Sequence, residues 1–413
     1  VRVCFTKGNK KRSNDQSFKH HTNQILAVAA SSSGKFVATG GLDKRLIVWS
    51  AADLTPLRVF TQHRDAVTSL AFRRGTHQLY SGSKDRTIKT WSLDELAYVE
   101  TLFGHQDEVV DLAALAQERC VSVGGRDRTV RLWKVAEETQ LVFRGGGGGG
   151  GRSIDEKIRK PQGSRDFSAS SVRPCGYVEG SIDRVALIDE ETFITGSDNG
   201  SLSLWTMHKK KPVFTVPLAH GLDPVLMPSE ASAEEIPDSK VPSVPNPRWI
   251  TALATVPYSD LILSGSWDGW VRVWRVSADK RRIESVGVLG GMRGGSSPVE
   301  DPGATANGKE DNCQLPNEAG NEDGAIRGVV NEIALCERGE RGKDGLCVVV
   351  ATGSEHRLGS WMKMGRKNGV VVFEIPRLTV AKNELRPRGR EREGQGEKVP
   401  KHPPENVSSS GQG

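Results

Sequence analysis

The sequence predicts an all-β fold, a WD40 β-propeller of four-stranded antiparallel blades. Three observations predict it. Trp49, Trp91 and Trp133 recur every 42 residues, and so do Asp43, Asp85 and Asp127, and His21, His63 and His105. Between these markers lie short apolar runs, rich in β-branched residues and bounded by Gly and Asp, the pattern of strands and turns. A period near 40 that starts on His and ends on Trp is the signature of WD blades, and one such small sheet buries both faces only by stacking on others around an axis.

Taken in order, residues 1–19 hold one apolar run, VRVCF, then a basic connection. The first blade reads ILAVAAS, KFVATG, RLIVWS and LRVF, the second AVTSLAF, QLYSGS, TIKTWS and YVETLF, and the third EVVDLAAL, RCVSVG, TVRLWKV and QLVF. The period then breaks at a glycine run opening a flexible insertion of about 145–176. No Lys-Ser/Thr follows the run, so it is not a phosphate cradle. The fourth blade resumes with IDRVALID, TFITGS, SLSLWTM and PVFTV, with Asn199 at the turn Asp position and Thr195 at the hydroxyl position. A Pro- and acid-rich insertion, 219–247, precedes the fifth blade: WITALATV, LILSGS, WVRVWRV and ESVGVL. A third insertion, 290–325, has the composition of a disordered segment. The sixth blade reads IRGVVNEIALC, GLCVVVATG, HRLGSWMKM and GVVVFEIP, with Glu355 replacing the turn Asp and Trp361 at the position of the repeated Trp. The propeller thus spans 20–376, and 377–413 is a charged tail with the composition of disorder. Six blades are readable. Because VRVCF has the character of an outer strand, the expectation is a seven-bladed family fold truncated at the N-terminus.

The recurring polar residues have a structural reading. In the WD pattern a His, a Ser or Thr, the turn Asp and the Trp form one buried hydrogen-bonded set: His21, Thr39, Asp43 and Trp49, then His63, Ser81, Asp85 and Trp91. The third blade offers His105, Asp127 and Trp133, but Val123 stands at the hydroxyl position, so its set is expected to be incomplete. A Ser-His-Asp combination suggests nucleophilic catalysis. A catalytic triad occurs once, however, whereas this one returns in successive blades, which assigns it to structure.

The 413 residues carry a net charge of +6, which permits an anionic partner without requiring one. Six cysteines show no CxxC and no metal spacing, and Cys120 and Cys347 lie in apolar runs where a buried thiol is expected. No apolar run reaches the length of a membrane span. HExxH, P-loop and GxSxG signatures are absent from the sequence. No catalytic residue, metal ligand, cofactor or small-molecule substrate is therefore assigned. The informative remainder is basic: Arg73, Arg74, Lys84 and Arg86 on the second blade, with Arg119, Arg126, Arg128, Arg131, Lys134 and Arg144 on the third. Equivalent turns of neighbouring blades gather on one face, so these residues are the candidate patch for nucleic-acid phosphates or for a protein partner. The bland alternative is a solvated outer face of the kind many blades carry.

The text between Phe60 and Gly146 is more specific than a blade requires. HRDAV, LAFRRGTHQLYS, YVETLFGHQDEV, ALAQERCVSVGGRDRTVRLWK and EETQLVFRGG resemble the WD-repeat proteins specific to the U3 small nucleolar ribonucleoprotein. The resemblance continues in EGSIDRVALID, ITGSDNGSLSLW with the KKKP after it, AHGL and GSEHRLGSW. It implies a non-catalytic RNA-binding scaffold, located in the nucleus and nucleolus. Family members bind the box B/C region of U3 small nucleolar RNA together with a small kink-turn-binding protein. They support pre-rRNA processing, and so 18S rRNA maturation, in the small-subunit processome. The alternative is a protein-only WD40 adaptor in another complex, such as a ubiquitin ligase or a chromatin assembly.

Overall fold

Alternating apolar residues become strands along nearly the whole described chain. The computed structural model describes residues 20–145, 180–224, 245–289, 326, 328–339, 343–363 and 368–377. The expected N-terminal remnant, most of each expected insertion and nearly all of the tail lie outside these residues. So does the segment on which the expectation of a seventh blade rests.

Blade one is built from β1 (Ile25–Ala30), β2 (Phe36–Gly41), β3 (Leu46–Ser50) and β4 (Pro56–Phe60). Blade two has β5 (Val67–Phe72), β6 (Gln78–Ser83), β7 (Thr87–Ser92) and β8 (Ala97–Phe103). Blade three has β9 (Val109–Ala114), β10 (Arg119–Gly124), β11 (Thr129–Lys134) and β12 (Thr139–Arg144). Blade four has β13 (Ile182–Leu187), β14 (Thr192–Ser197), β15 (Leu202–Thr206) and β16 (Phe214–Val216). Blade five has β17 (Ala252–Thr255), β18 (Leu261–Gly265), β19 (Val271–Val276) and β20 (Ile283–Leu289). Each is a meander in sequence order. The innermost strands of all six blades line a central channel of about 1320 Å³.

The sixth blade departs from expectation. β21 (Val329–Arg338) and β22 (Gly345–Gly353) pair as expected, but the third strand is β25 (Gly369–Ile375), not the segment around Trp361. That segment forms its own hairpin, β23 (Glu355–His356) with β24 (Gly359–Lys363). The physical reason is continuity: GVVVFEI keeps register with β22 from Leu346↔Ile375 to Thr352↔Gly369, whereas the chain reverses within two residues of His356. Glu355 is therefore not a turn Asp in disguise.

Five apolar clusters hold the ring, each bridging two consecutive blades. Ala38, Leu46 and Val48 of blade one meet Leu79 and Trp91 of blade two. Tyr80 and Ile88 meet Cys120 and Trp133. Val123 and Phe143 meet Phe193 and Trp205, Ile194 and Leu202 meet Ile262 and Trp274, and Leu263 and Val271 meet Val348 and Val350. The repeated Trp thus fills the gap to the preceding blade. Close approach also demands glycine at one recurring place: a Cβ on Gly82 would stand 2.7 Å from Val109 Cγ1, and one on Gly265 2.5 Å from Val330 Cγ1. Of the two cysteines expected to be buried, Cys120 is fully so, and burial pushes its thiol pKa well above the usual range. Cys347 is half-buried.

Two guanidinium groups fix the channel. Arg184 of β13 donates from Nε to the Thr251 carbonyl at 2.6 Å and pairs with Glu332 at 3.0 Å, and it also reaches the Asn331 carbonyl. Arg357, between β23 and β24, donates to the carbonyls of Thr68 at 2.6 Å and Val110 at 3.1 Å. A buried cation is costly unless paired and hydrogen-bonded. Asp111 and Glu332 supply the countercharge for both.

Antiparallel strands put the turn between second and third strands, and the link from the fourth strand to the next blade, at one end of each of blades one to five. We call this end the upper rim and the opposite one the lower rim.

Candidate nucleic-acid interface

The polar sets form at the upper rim, where a His from the incoming link meets the turn Asp. In blade two, Trp91 Nε1 donates to Ser81 Oγ at 2.8 Å, Ser81 Oγ lies 2.7 Å from His63 Nε2, and His63 Nδ1 lies 3.0 Å from Asp85. Blade one repeats this with Trp49 to Thr39 at 2.8 Å, Thr39 to His21 at 2.8 Å and His21 to Asp43 at 3.0 Å. A neutral imidazole with its proton on Nδ1 satisfies every member of such a chain. Burial alone raises an Asp85 carboxyl, but the His63 ring, the Thr87 hydroxyl and the Arg64 amide outweigh it and hold the group well below the usual carboxylate range. Burial lowers the His63 pKa.

Two members were missed in the sequence. Blade three is complete after all: Trp133 Nε1 donates to Ser122 Oγ at 2.7 Å, and His105 Nε2 lies 2.6 Å from the same oxygen. The strict period points to Val123, but the turn before β10 is one residue shorter than its counterpart in blade two, and VGGRDRT is one longer than GSKDRT. The hydroxyl therefore moves by one position, and Val123 takes the place of the close-packed Gly82. Blade five also has its histidine. His220 lies 2.8 Å from Asp268 and 2.8 Å from Ser264, which receives Trp274 Nε1 at 2.8 Å. The expectation placed His220 inside an insertion; the long connection instead separates it from its own blade. In blade four Trp205 donates to Thr195 at 2.9 Å, and Asn199 at the turn accepts from the Ser201 hydroxyl at 2.7 Å.

The ten candidate cations do not gather on one face. Lys84, Arg86, Arg126, Arg128 and Arg144 lie at the upper rim, at or beside the turns and at the end of β12. Arg73, Arg74, Arg119 and Lys134 lie at the lower rim, beside the opposite turns, and Arg131 lies within β11, where it donates to Gln140 at 2.8 Å. The expectation of a single patch is thus corrected: a residue after a first strand and a residue beside a turn Asp sit at opposite ends of an antiparallel blade. The two groups also differ in pairing. Arg73 faces Glu118 at 3.7 Å, Arg119 and Lys134 share Glu137 at 3.9 and 2.7 Å, and Arg74 stacks on Tyr258 with its guanidinium 5.7 Å from the ring centroid. At the upper rim Lys84 meets Glu108 at 3.1 Å. Arg86, Arg126, Arg128 and Arg144 are exposed and, among the described residues, have no ion pair.

The upper rim extends further than the sequence reading allowed. Lys44, Arg86 and Arg128 occupy equivalent positions just after the turn Asp, with φ of 67°, 68° and 54°, a left-handed turn conformation. Lys44 donates to the Arg64 carbonyl at 2.8 Å, which brings exposed Arg64 alongside. The turn acids Asp43, Asp85 and Asp127 bond to histidines at 3.0, 3.0 and 2.8 Å and, among the described residues, form no ion pair with Lys44, Arg86 or Arg128. The signal was present: a cation follows the turn Asp in each of the first three blades. What can engage a partner there is a row of guanidinium and ammonium groups, suited to phosphate oxygens.

Comparison with known proteins agrees with this architecture. The family described as WD domain, G-beta repeat matches residues 12–50, 54–92, 97–134 and 242–275. Ribosomal RNA-processing protein 9 of Saccharomyces cerevisiae is 37% identical over 363 residues, covering 85% of this chain and 57% of its own length. U3 small nucleolar RNA-interacting protein 2 of Homo sapiens is 38% identical over 361 residues, covering 87% of this chain. This chain likewise spans only 57% of that human protein's length. Among solved structures, one of U3-55K superimposes with a TM-score of 0.61 and 33% identity, covering 86% of this chain and 81% of that one. Fold, repeat and sequence together establish that the chain belongs to the WD-repeat family of U3 small nucleolar ribonucleoprotein and ribosomal RNA-processing proteins.

Proposed function

We propose that this protein is a non-catalytic RNA-binding scaffold of the U3 small nucleolar ribonucleoprotein, acting in ribosomal RNA processing in the nucleolus. Its RNA ligand in this reading is the box B/C region of U3 small nucleolar RNA. A small kink-turn-binding protein shares that site, and other small-subunit processome proteins bind around it. The names of the relatives support the U3 assignment. The observation that carries the RNA surface is the exposed upper-rim row Arg86, Arg126, Arg128 and Arg144, which has no carboxylate partner among the described residues. The Ser-His-Asp geometry does not favour catalysis: Ser81 and Ser122 are fully buried, and each hydroxyl oxygen already accepts an indole N–H.

The test is binding to a box B/C hairpin with the kink-turn protein present, over a salt series. Specific RNA binding weakens steeply with salt, and each lost phosphate contact shallows the slope by about one. Charge reversal at Arg86, Arg126 and Arg128 should weaken binding strongly and flatten the slope. The same change at Arg119 and Lys134, on the lower rim, should not. No preference for the hairpin over a scrambled one would instead favour the protein-only adaptor.

A further inference from the structure

Blade five differs from its neighbours at the upper rim, and the other blades serve as its control. Thr68 Oγ1 donates to the Gly82 carbonyl at 3.2 Å, and Thr251 Oγ1 donates to the Gly265 carbonyl at 3.2 Å, so the two threonines are equivalent. Counting back, Trp249 stands where blade two has Ala66. Aligning the turn on Asp268, Trp267 stands where blades two and three have Lys84 and Arg126. Trp270 stands where they have Thr87 and Thr129.

The fold asks for no aromatic residue at any of these positions. At the last it uses a hydroxyl: Thr87 and Thr129 donate to Asp85 and Asp127 at 2.6 and 2.9 Å. An indole in that place cannot, and Arg272 approaches Asp268 at 3.4 Å instead. Trp249, Trp267 and Trp270 are all half-buried, so part of their apolar surface faces water on an otherwise polar rim. Aromatic surface left partly open to water, as on the Trp249–Trp267 pair and the neighbouring Trp270, marks a contact site more often than a packing need.

The cluster is also held in place. Trp249 and Trp267 lie with ring centroids 6.2 Å apart at 59°. Trp267 Nε1 donates to Asp223 at 2.9 Å, and Arg248 Nε donates to the same carboxylate oxygen at 2.9 Å. Asp223 is anchored in turn, its amide donating to the Asn246 carbonyl at 2.8 Å beside the bridge Leu222↔Pro247. Locally the charges balance, Arg248 against Asp223 and Arg272 against Asp268. The cluster therefore offers flat rings with little net charge, on the same rim as the unpaired arginines of blades two and three.

We propose that the Asp268 turn of blade five, which carries Trp267 and Trp270, is a stacking platform for an unpaired nucleobase of the RNA whose phosphates the cationic rim engages. The inference rests on the RNA reading above and adds a single-stranded element to it. The division of labour is physical: arginines of blades two and three supply salt-sensitive attraction, and the tryptophans supply stacking, which is tolerant of sequence and contributes through contact area.

The experiment uses the full chain with twelve-nucleotide oligouridylate and oligoadenylate, and a duplex of the same length as control. Single strands should quench tryptophan fluorescence and the duplex should not. Trp270→Thr restores the residue of blades two and three, so the melting temperature should hold. Its affinity for the single strands should fall about tenfold, within the range of one lost stack, with an unchanged slope of log Kd against log salt. Trp270→Phe should keep most of the affinity, and Trp267→Leu should lose it. If Trp270→Thr and Trp267→Leu bind like the parent while reversal of Arg86 and Arg126 abolishes binding, the platform is wrong and the cationic rim stands. If neither single strand nor duplex binds the parent chain while the box B/C hairpin does, the platform falls and the RNA reading stands. Quenching by a proline-rich peptide with no response to RNA would assign the cluster to a protein ligand and overturn the proposal.

Discussion

Arg357 donates to the main-chain carbonyl of Thr68 at 2.6 Å, joining residues 289 positions apart in the chain. The contact carries the β23–β24 hairpin across the channel to blades two and three. Burial and the neighbouring Arg184 lower the Arg357 pKa to about 10, so the group remains a cation at neutral pH. Arg357→Leu should destabilise the ring by about 3 kcal/mol, the scale for removing one partner from a buried charged network. Arg357→Lys should recover only part, since one ammonium does not reproduce a planar fork. Urea unfolding at neutral pH measures both; an unchanged midpoint for Arg357→Leu would show that the contact adds nothing.

Ser122, not Val123, completes the polar set of blade three. Ser122→Ala leaves the Trp133 N–H and the His105 ring without their shared partner, and should cost about 2 kcal/mol. Val123→Ser should not rescue it, because Val123 packs against blade four in the cluster containing Ile182 and Phe193. The double variant should be less stable than Ser122→Ala alone, as read by chemical denaturation.

His220 belongs to blade five despite its distance in sequence. His220→Ala strips the buried Asp268 carboxylate of its nearest partner and should cost at least as much as the Ser122 change. Tryptophan emission should report it, because Trp274 is bonded to the same Ser264. If His220 instead belonged to a pliant loop, the substitution would leave stability unchanged.

The sets also fix the acid response. The carboxyls of Asp43, Asp85, Asp127 and Asp268 all have pKa values below the ordinary one; burial raises each, and the facing histidine with nearby donors outweighs it. A lowered carboxylate contributes stability above its unfolded pKa, about 4, and the contribution is lost as pH falls through the folded value. The His63 pKa is lowered by burial, so its contribution is present above about 6.5 and declines as pH falls below that. Both run in one direction. The melting temperature should decline gently from pH 6.5 to 5 and steeply below 4. His63→Gln should lose the first phase and keep the second.

Sequence alone carried much of this. The 42-residue spacing located three blades and their His, Asp and Trp members, because each is required by one local network. It failed where length changed without changing chemistry. One residue moved between two turns disguised Ser122, and the long connection after His220 hid a repeated geometry behind a broken period. The sixth blade misled for another reason: Trp361 advertised a third strand, while the β-branched run at Gly369–Ile375 had the better register with β22. The division of the candidate cations between two rims was legible in principle, since strand direction decides it. Their ion pairs were not, because Glu118 and Glu137 meet Arg73 and Lys134 only once the turns are folded.

All three long connections leave and re-enter the propeller at the upper rim: after Arg144, after Val216 and after Leu289 each chain passes from a fourth strand to the next first strand. The lower rim has shorter links. Arg144, Val216 and Leu289 thus mark the rim that also carries Arg86, Arg126 and Arg128. Immobilisation through an engineered cysteine in a lower-rim turn, such as the one holding Asp94, would tether the molecule with its upper rim turned outward.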